Sequence, residues 1–115
     1  MARRRRRRKS NDGAAYEMHV ARKMRLHLWL FVRRCGKATQ ADFGGDITAR
    51  GFLFTKIVVQ CKCYSKPVGV RAVQEAAAAR SYYNASRAAV ATNNTFTKQA
   101  KELAKRCGVE LWEKY

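Results

Sequence analysis

Asp46, Gln60 and Lys62 are the residues of this 115-residue chain whose types and spacing could do chemistry. They lie in the run DITARGFLFTKIVVQCK, which reads as an extended arm, a turn at Gly51-Phe52 and a second extended arm ending Gln60-Cys61-Lys62. Alternate side chains of a strand share a face, so Val58, Gln60 and Lys62 point one way. Ile57, Val59 and Cys61 point the other way, and theirs is the face expected to meet a core. An acid, an amide oxygen and a lysine gathered at the end of two paired strands could hold a divalent cation beside a phosphate. Phosphodiester hydrolysis needs a nucleophilic water, stabilisation of transition-state charge and help for the leaving oxygen. Magnesium can serve all three when one or two protein oxygens hold it and its other positions are left to water and phosphate. Asp46 would be the hard anionic ligand and Gln60 the neutral one. Lys62 would orient the attacking water or offset charge on the phosphate. The pattern is short, and spacing alone does not separate such a site from chance.

Other residues compete for a role and have plainer readings. Asp42 opens the DFGGD loop four residues before Asp46 and is expected to structure that loop. Glu17 sits among basic neighbours on a helix, where an ion pair with Arg22 or Lys23 would account for it. His19 and His27 are eight apart rather than the four that would bring two imidazoles to one metal. Tyr82, Tyr83 and Phe96 could stack on bases, but adjacent helical tyrosines divide more often between core and surface. Asn93, Asn94 and Thr97 are accounted for by turn and cap roles, and Glu75 by a helix surface. Cys61 and Cys63 lack C-x-x-C spacing, and a reduced pair is expected rather than a zinc site.

The elements that must position these residues follow from local pattern. A helix is expected from the Asp12 cap through AAYEMHVARKMRLHL, with Ala14, Met18, Ala21, Met24 and Leu28 as its apolar stripe. Trp29 to Arg34 has strand composition, and 35–45 reads as a loop. After the two arms around Gly51, Ser65-Lys66-Pro67 breaks the chain and a helix is expected over 68–84, favoured by EAAAAR. RAAVAT at 87–92 reads as a buried strand. Thr97 can cap a helix that Gly108 ends, and Val109 to Trp112 alternates as a last strand. The order α-β-β-β-α-β-α-β predicts an α/β domain with a mixed sheet flanked by helices.

Charge points to the partner. Lys and Arg number 25 against 8 acids, a net charge of +17, and the excess persists when the seven cations Arg3, Arg4, Arg5, Arg6, Arg7, Arg8 and Lys9 are set aside. A polyanion is implied, with nucleic acid favoured over anionic membrane because no amphipathic helix with a broad apolar face accompanies the basic run. Residues 1–12 are expected to form a disordered Arg-rich arm that tethers phosphate non-specifically, ahead of one domain over 13–115. No apolar run approaches the roughly 20 residues of a membrane span, no cleavable leader is recognisable, and a cytoplasmic location is expected.

The segments DFGGDITAR, IVVQCKCYSKPVGVRAVQEAAAARSYYNA and AVATNNTFTKQAKELAKRCGVELW, in that order, resemble the catalytic domain of Mrr-type restriction endonucleases, a branch of the PD-D/E-x-K nuclease superfamily. The resemblance spans residues 42–112 and is more specific than the three-residue pattern. It implies a restriction-endonuclease-like fold and an Mg²⁺-dependent endonuclease, Mn²⁺ being a substitute, that cuts double-stranded DNA in type IV-like restriction of foreign DNA, methylated DNA included. Asp46, Gln60 and Lys62 are then the acid, the Gln variant of the second acid, and the lysine. Glu17, set as Gly-x-x-x-Glu, resembles the helical glutamate that supports metal or water. Residues 24–41 depart from the family pattern. A non-catalytic basic DNA-binding module and a structure-specific nuclease such as a Holliday-junction resolvase are the alternatives. Cutting both strands with one site per chain would call for a homodimer.

Overall fold

The computed structural model describes residues 2–35 and 46–115, with side chains from residue 13 onward. Helix α1 (Ala2–Leu26) precedes three strands, β1 (Leu30–Cys35), β2 (Asp46–Arg50) and β3 (Lys56–Lys62). Helix α2 (Val70–Tyr82), β4 (Arg87–Thr92), α3 (Lys98–Cys107) and β5 (Val109–Trp112) complete the chain, in the element order expected from sequence. The sheet order is β1-β2-β3-β4-β5, with β1, β2 and β3 mutually antiparallel and β3, β4 and β5 parallel. The parallel half follows from the two strand-helix-strand crossovers, since a helix must carry the chain back to the end where the next parallel strand begins.

Both faces of β3 are covered, which differs from the one-sided burial expected of it. Ile57, Val59 and Cys61 meet Val20, Ala21 and Met24 of α1. On the opposite side Val58 packs with Ala72, Val73 and Ala76 of α2 and Ala100 and Ala104 of α3. A fully buried Val or Ile stabilises the fold by about 1.5–3 kcal/mol, so β3, buried from both sides, is the element the domain closes on. The alanines of β4 are fully buried and let two helices approach the sheet closely.

Helix α1 departs from its sequence reading in two ways. Its backbone is helical from Ala2, through the arginine run, so Asp12 lies inside the helix instead of capping it; arginine is a good helix former and no proline interrupts the segment. Its buried side is Tyr16, Glu17, Val20, Ala21 and Met24, while Met18 is half exposed and Ala14 and Leu28 are exposed. Alanine and methionine fit either stripe, and tertiary contacts choose between them. One such contact is Tyr115, whose backbone oxygen accepts from Lys23 Nζ at 2.7 Å and lies 3.1 Å from His19 Nε2.

The second half follows its local signals. Thr97 caps α3 by accepting from the Ala100 amide, and Gly108 ends it in the left-handed conformation at φ 67°. Asn94 turns the chain by accepting from the Thr95 amide, and Phe96 is buried. At Gly51 a side chain would come within 2.6 Å of the Trp29 ring, so the β2–β3 turn passes where only glycine fits. Among the described residues, no helix is long and apolar enough to cross a membrane.

Candidate active site

The register of β2 and β3 decides what can meet at the open end of the sheet. Asp46, the first residue of β2, is the cross-strand partner of Gln60. Directly opposed residues share a face, and Lys62, two residues along β3, shares it with Gln60. The structure therefore brings Asp46, Gln60 and Lys62 together on the α2 side of the sheet.

Lys62 is 1 % exposed. A buried ammonium requires a counter-charge, and α2 supplies one: Glu75 Oε2 lies 2.6 Å from Lys62 Nζ. Arg71, one turn earlier, holds the other oxygen of Glu75 at 3.2 Å. Glu75, read from sequence as a surface residue, is thus the carboxylate that bridges the buried lysine to an exposed arginine. The available signal was its place beside the stripe Ala72, Val73 and Ala76, which α2 turns toward the sheet.

Asp46 is held above its ordinary carboxylate value. Burial is the main cause, and the charges of Glu17 and Glu75 add to it; a hydrogen bond from Tyr83 and the charge of Lys62 act in the opposite direction. The Tyr83 phenol is itself pushed up to about 12, by burial first and then by Asp46. Tyr83, like Glu75, touches the predicted site without having been assigned to it. Its neighbour Tyr82 is exposed and stands edge-on to it.

Glu17 sits differently. Its carboxylate is buried on the α1 side and receives Arg34 Nε of β1 at 2.6 Å. The expected ion pair exists, but with Arg34 and not with the helical neighbours Arg22 or Lys23. Arg34 pairs with Ile47 across β1 and β2, so Glu17 approaches Asp46 from the opposite face, near enough to raise its pKa. Asp42 and the side chains of Arg3 to Lys9 lie outside the described residues.

The donor set suits a hard cation that keeps much of its water. Glu17 is engaged by Arg34 and Glu75 by Lys62 and Arg71, so among the described residues Asp46 and the Gln60 amide oxygen are the site oxygens left to a cation. Among the described residues, no three His, Cys, Asp or Glu side chains form a cage. Magnesium does not need one, since one or two carboxylates plus substrate phosphate are its usual complement. A carboxylate disfavoured by burial and by neighbouring acids is also one that a cation would relieve. Cys61 is buried, and its thiol is pushed up by that burial.

A five-stranded mixed sheet between helices, with an acid, an amide and a lysine at the β2 and β3 ends, defines the PD-D/E-x-K class of nuclease folds. The restriction endonuclease family model, of Mrr catalytic type, matches residues 8–115, and the chain belongs to that family of DNA-cleaving hydrolases. Among solved structures, the DNA modification-dependent restriction endonuclease AspBHI superposes with a TM-score of 0.71 at 18 % identity, over 95 % of this chain and 30 % of its own. EndoMS in apo form gives 0.60 at 18 % identity, over 84 % of this chain and 45 % of its own. AF1548, a protein of unknown function, gives 0.61 at 19 % identity, over 83 % and 54 %. This chain spans about half or less of each of these structures, and at such identities they share its fold. No curated protein matches it.

Proposed function

We propose that the protein is a metal-dependent endodeoxyribonuclease that hydrolyses phosphodiester bonds in double-stranded DNA, serving restriction of foreign DNA, methylated DNA included, in the cytoplasm. The observation that carries this reading is the cross-strand pairing of Asp46 with Gln60, with the ammonium of Lys62 buried on the same face.

Asp46 and Gln60 would hold Mg²⁺, or Mn²⁺ in its place. Held there, such an ion would supply polarisation of the phosphate and a more acidic water. Lys62, paired with Glu75 at 2.6 Å, stands to donate to a non-bridging phosphate oxygen or to orient the water, offsetting negative charge as it develops. Tyr83 stands beside Asp46 and opposes the rise in its pKa. Glu17 acts from the other face, raising the pKa of Asp46, and so tunes the ligand instead of adding one. With one site per chain, cutting both strands calls for two copies, and a homodimer is part of the proposal.

The test is supercoiled plasmid incubated with the protein in magnesium, manganese or chelator. Nicking in either metal and none in chelator is expected. A protein that binds plasmid yet never nicks it would be a non-catalytic DNA-binding module. Methylated, unmethylated and four-way-junction substrates compared under the same conditions separate restriction from junction resolution, and preference for the junction would overturn the restriction reading.

A further inference from the structure

The side of β1 and β2 that carries Asp46 continues past the site as an open, cationic surface. Among the described residues, helix α2 packs over β3 and β4 and not over this side of β1 and β2. On β2, Asp46, Thr48 and Arg50 share the face. The register sets Arg33 of β1 beside Thr48, and Lys56 of β3 beside Arg50. Arg33, Thr48, Arg50, Lys56 and Phe31 line a cavity of about 370 Å³.

No acid lines it, and none of its three cations has a carboxylate partner among the described residues. Arg50 donates to the Phe54 carbonyl at 3.2 Å and Lys56 to the Tyr83 carbonyl at 2.7 Å. Backbone bonds thus fix both heads while leaving their charge uncompensated. Arg33 is exposed and makes no side-chain hydrogen bond or ion pair among the described residues. Three like charges held together without counter-charge form a receptor for a polyanion. At the margin, the β1–β2 register slips between Leu30 and Arg33, and Phe31 takes a positive φ of 51° with its ring two-thirds exposed. A bulge re-aims a side chain, and strain of this kind collects at functional positions.

We propose that this face is a backbone track for DNA: Arg33, Arg50 and Lys56 hold successive phosphates of the strand that leads to Asp46. Two residues along a strand advance about 6.6 Å, a step comparable with the separation of neighbouring phosphates on a nucleic-acid strand. The Arg33–Thr48 row is then one phosphate from Asp46, and the Arg50–Lys56 row two. The track rests on the nuclease reading for the strand's direction toward Asp46, while its cations would bind DNA whether or not the site cuts.

The experiment measures binding of the full chain to a short duplex in chelator across a salt series. Wild type is compared with Arg33→Gln/Arg50→Gln and with Lys105→Gln/Arg106→Gln, the latter changing exposed cations in the last turn of α3. Losing two phosphate contacts should make the slope of log K against log salt shallower by about 2, and the α3 variant should leave it unchanged. Arg33→Glu alone, at an exposed position, should weaken low-salt binding several-fold. An unchanged slope in the Arg33/Arg50 variant, or an equal loss in the α3 variant, overturns the track. Plasmid nicking is read in parallel with magnesium. A wild type that fails to nick while the slope shifts as expected removes the nuclease reading and leaves the track. One that nicks while the slope is unmoved does the reverse.

Discussion

The ammonium of Lys62 and the carboxylate of Glu75 lie 2.6 Å apart with the lysine almost wholly buried, so the charge proposed to act on phosphate is also a charge the fold must neutralise. Removing one partner of a buried pair costs more than removing both, because a lone charge is left in a poor solvent. Glu75→Ala should therefore lower stability by about 2–3 kcal/mol, read by denaturant unfolding. Lys62→Met/Glu75→Gln should recover most of that loss and none of the nicking. A double variant that regained nicking would show that the lysine charge is not used.

Asp46 yields a prediction whose sign follows from its environment. Its folded pKa lies above the ordinary value of 3.8. The native state therefore binds the proton more tightly than the unfolded chain does, and stability falls as pH rises from that ordinary value through the raised one. At neutral pH the ionised carboxylate is a net cost to the fold. Asp46→Asn, nearly the same size and uncharged, should melt higher than wild type at pH 7, and the difference should vanish below the ordinary value. Magnesium should raise the melting temperature of wild type and not of Asp46→Asn.

Glu17 and Glu75 both raise the Asp46 pKa through their charge. Glu17→Gln should thus move the acidic limb of the nicking profile to lower pH, because Asp46 then ionises more readily. The variant should also lose about 1–2 kcal/mol of stability from the weakened Arg34 pair. A pH profile unmoved by Glu17→Gln would reduce Glu17 to a structural ion pair.

Much of this arrangement was readable locally, and what was missed is non-local. The Thr97 cap and the Gly108 terminus are written in neighbouring residues, and the structure follows them. The Asp46–Gln60 pairing is set by a five-residue connection between Arg50 and Lys56, longer than the turn read at Gly51-Phe52, which would have put Asp46 opposite Ile57. Glu75 was read as surface because nothing within α2 shows that Lys62, on another element, reaches it. The stripe of α1 holds at Ala21 and Met24 and shifts elsewhere, because Tyr16 and Glu17 are buried by partners far along the chain. For Glu17 that partner is Arg34, in the stretch where the family pattern lapses.

The arginine run is expected to gain from DNA in a measurable way. Like charges spaced four apart oppose helix, and phosphates would remove that opposition at the start of α1. Deleting residues 1–9 should weaken duplex binding and make its salt slope shallower. Helical circular dichroism should rise on adding duplex to the full chain and not to the truncated one. An unchanged slope would remove the tether.

The most direct test of the site is single-turnover nicking of supercoiled plasmid in magnesium by Lys62→Met, whose melting curve first establishes that it is folded. A rate at least about 100-fold below wild type is expected, the loss seen when a donor to developing charge is removed. A folded Lys62→Met that nicks as fast as wild type would contradict the assignment of Asp46, Gln60 and Lys62 as the active site.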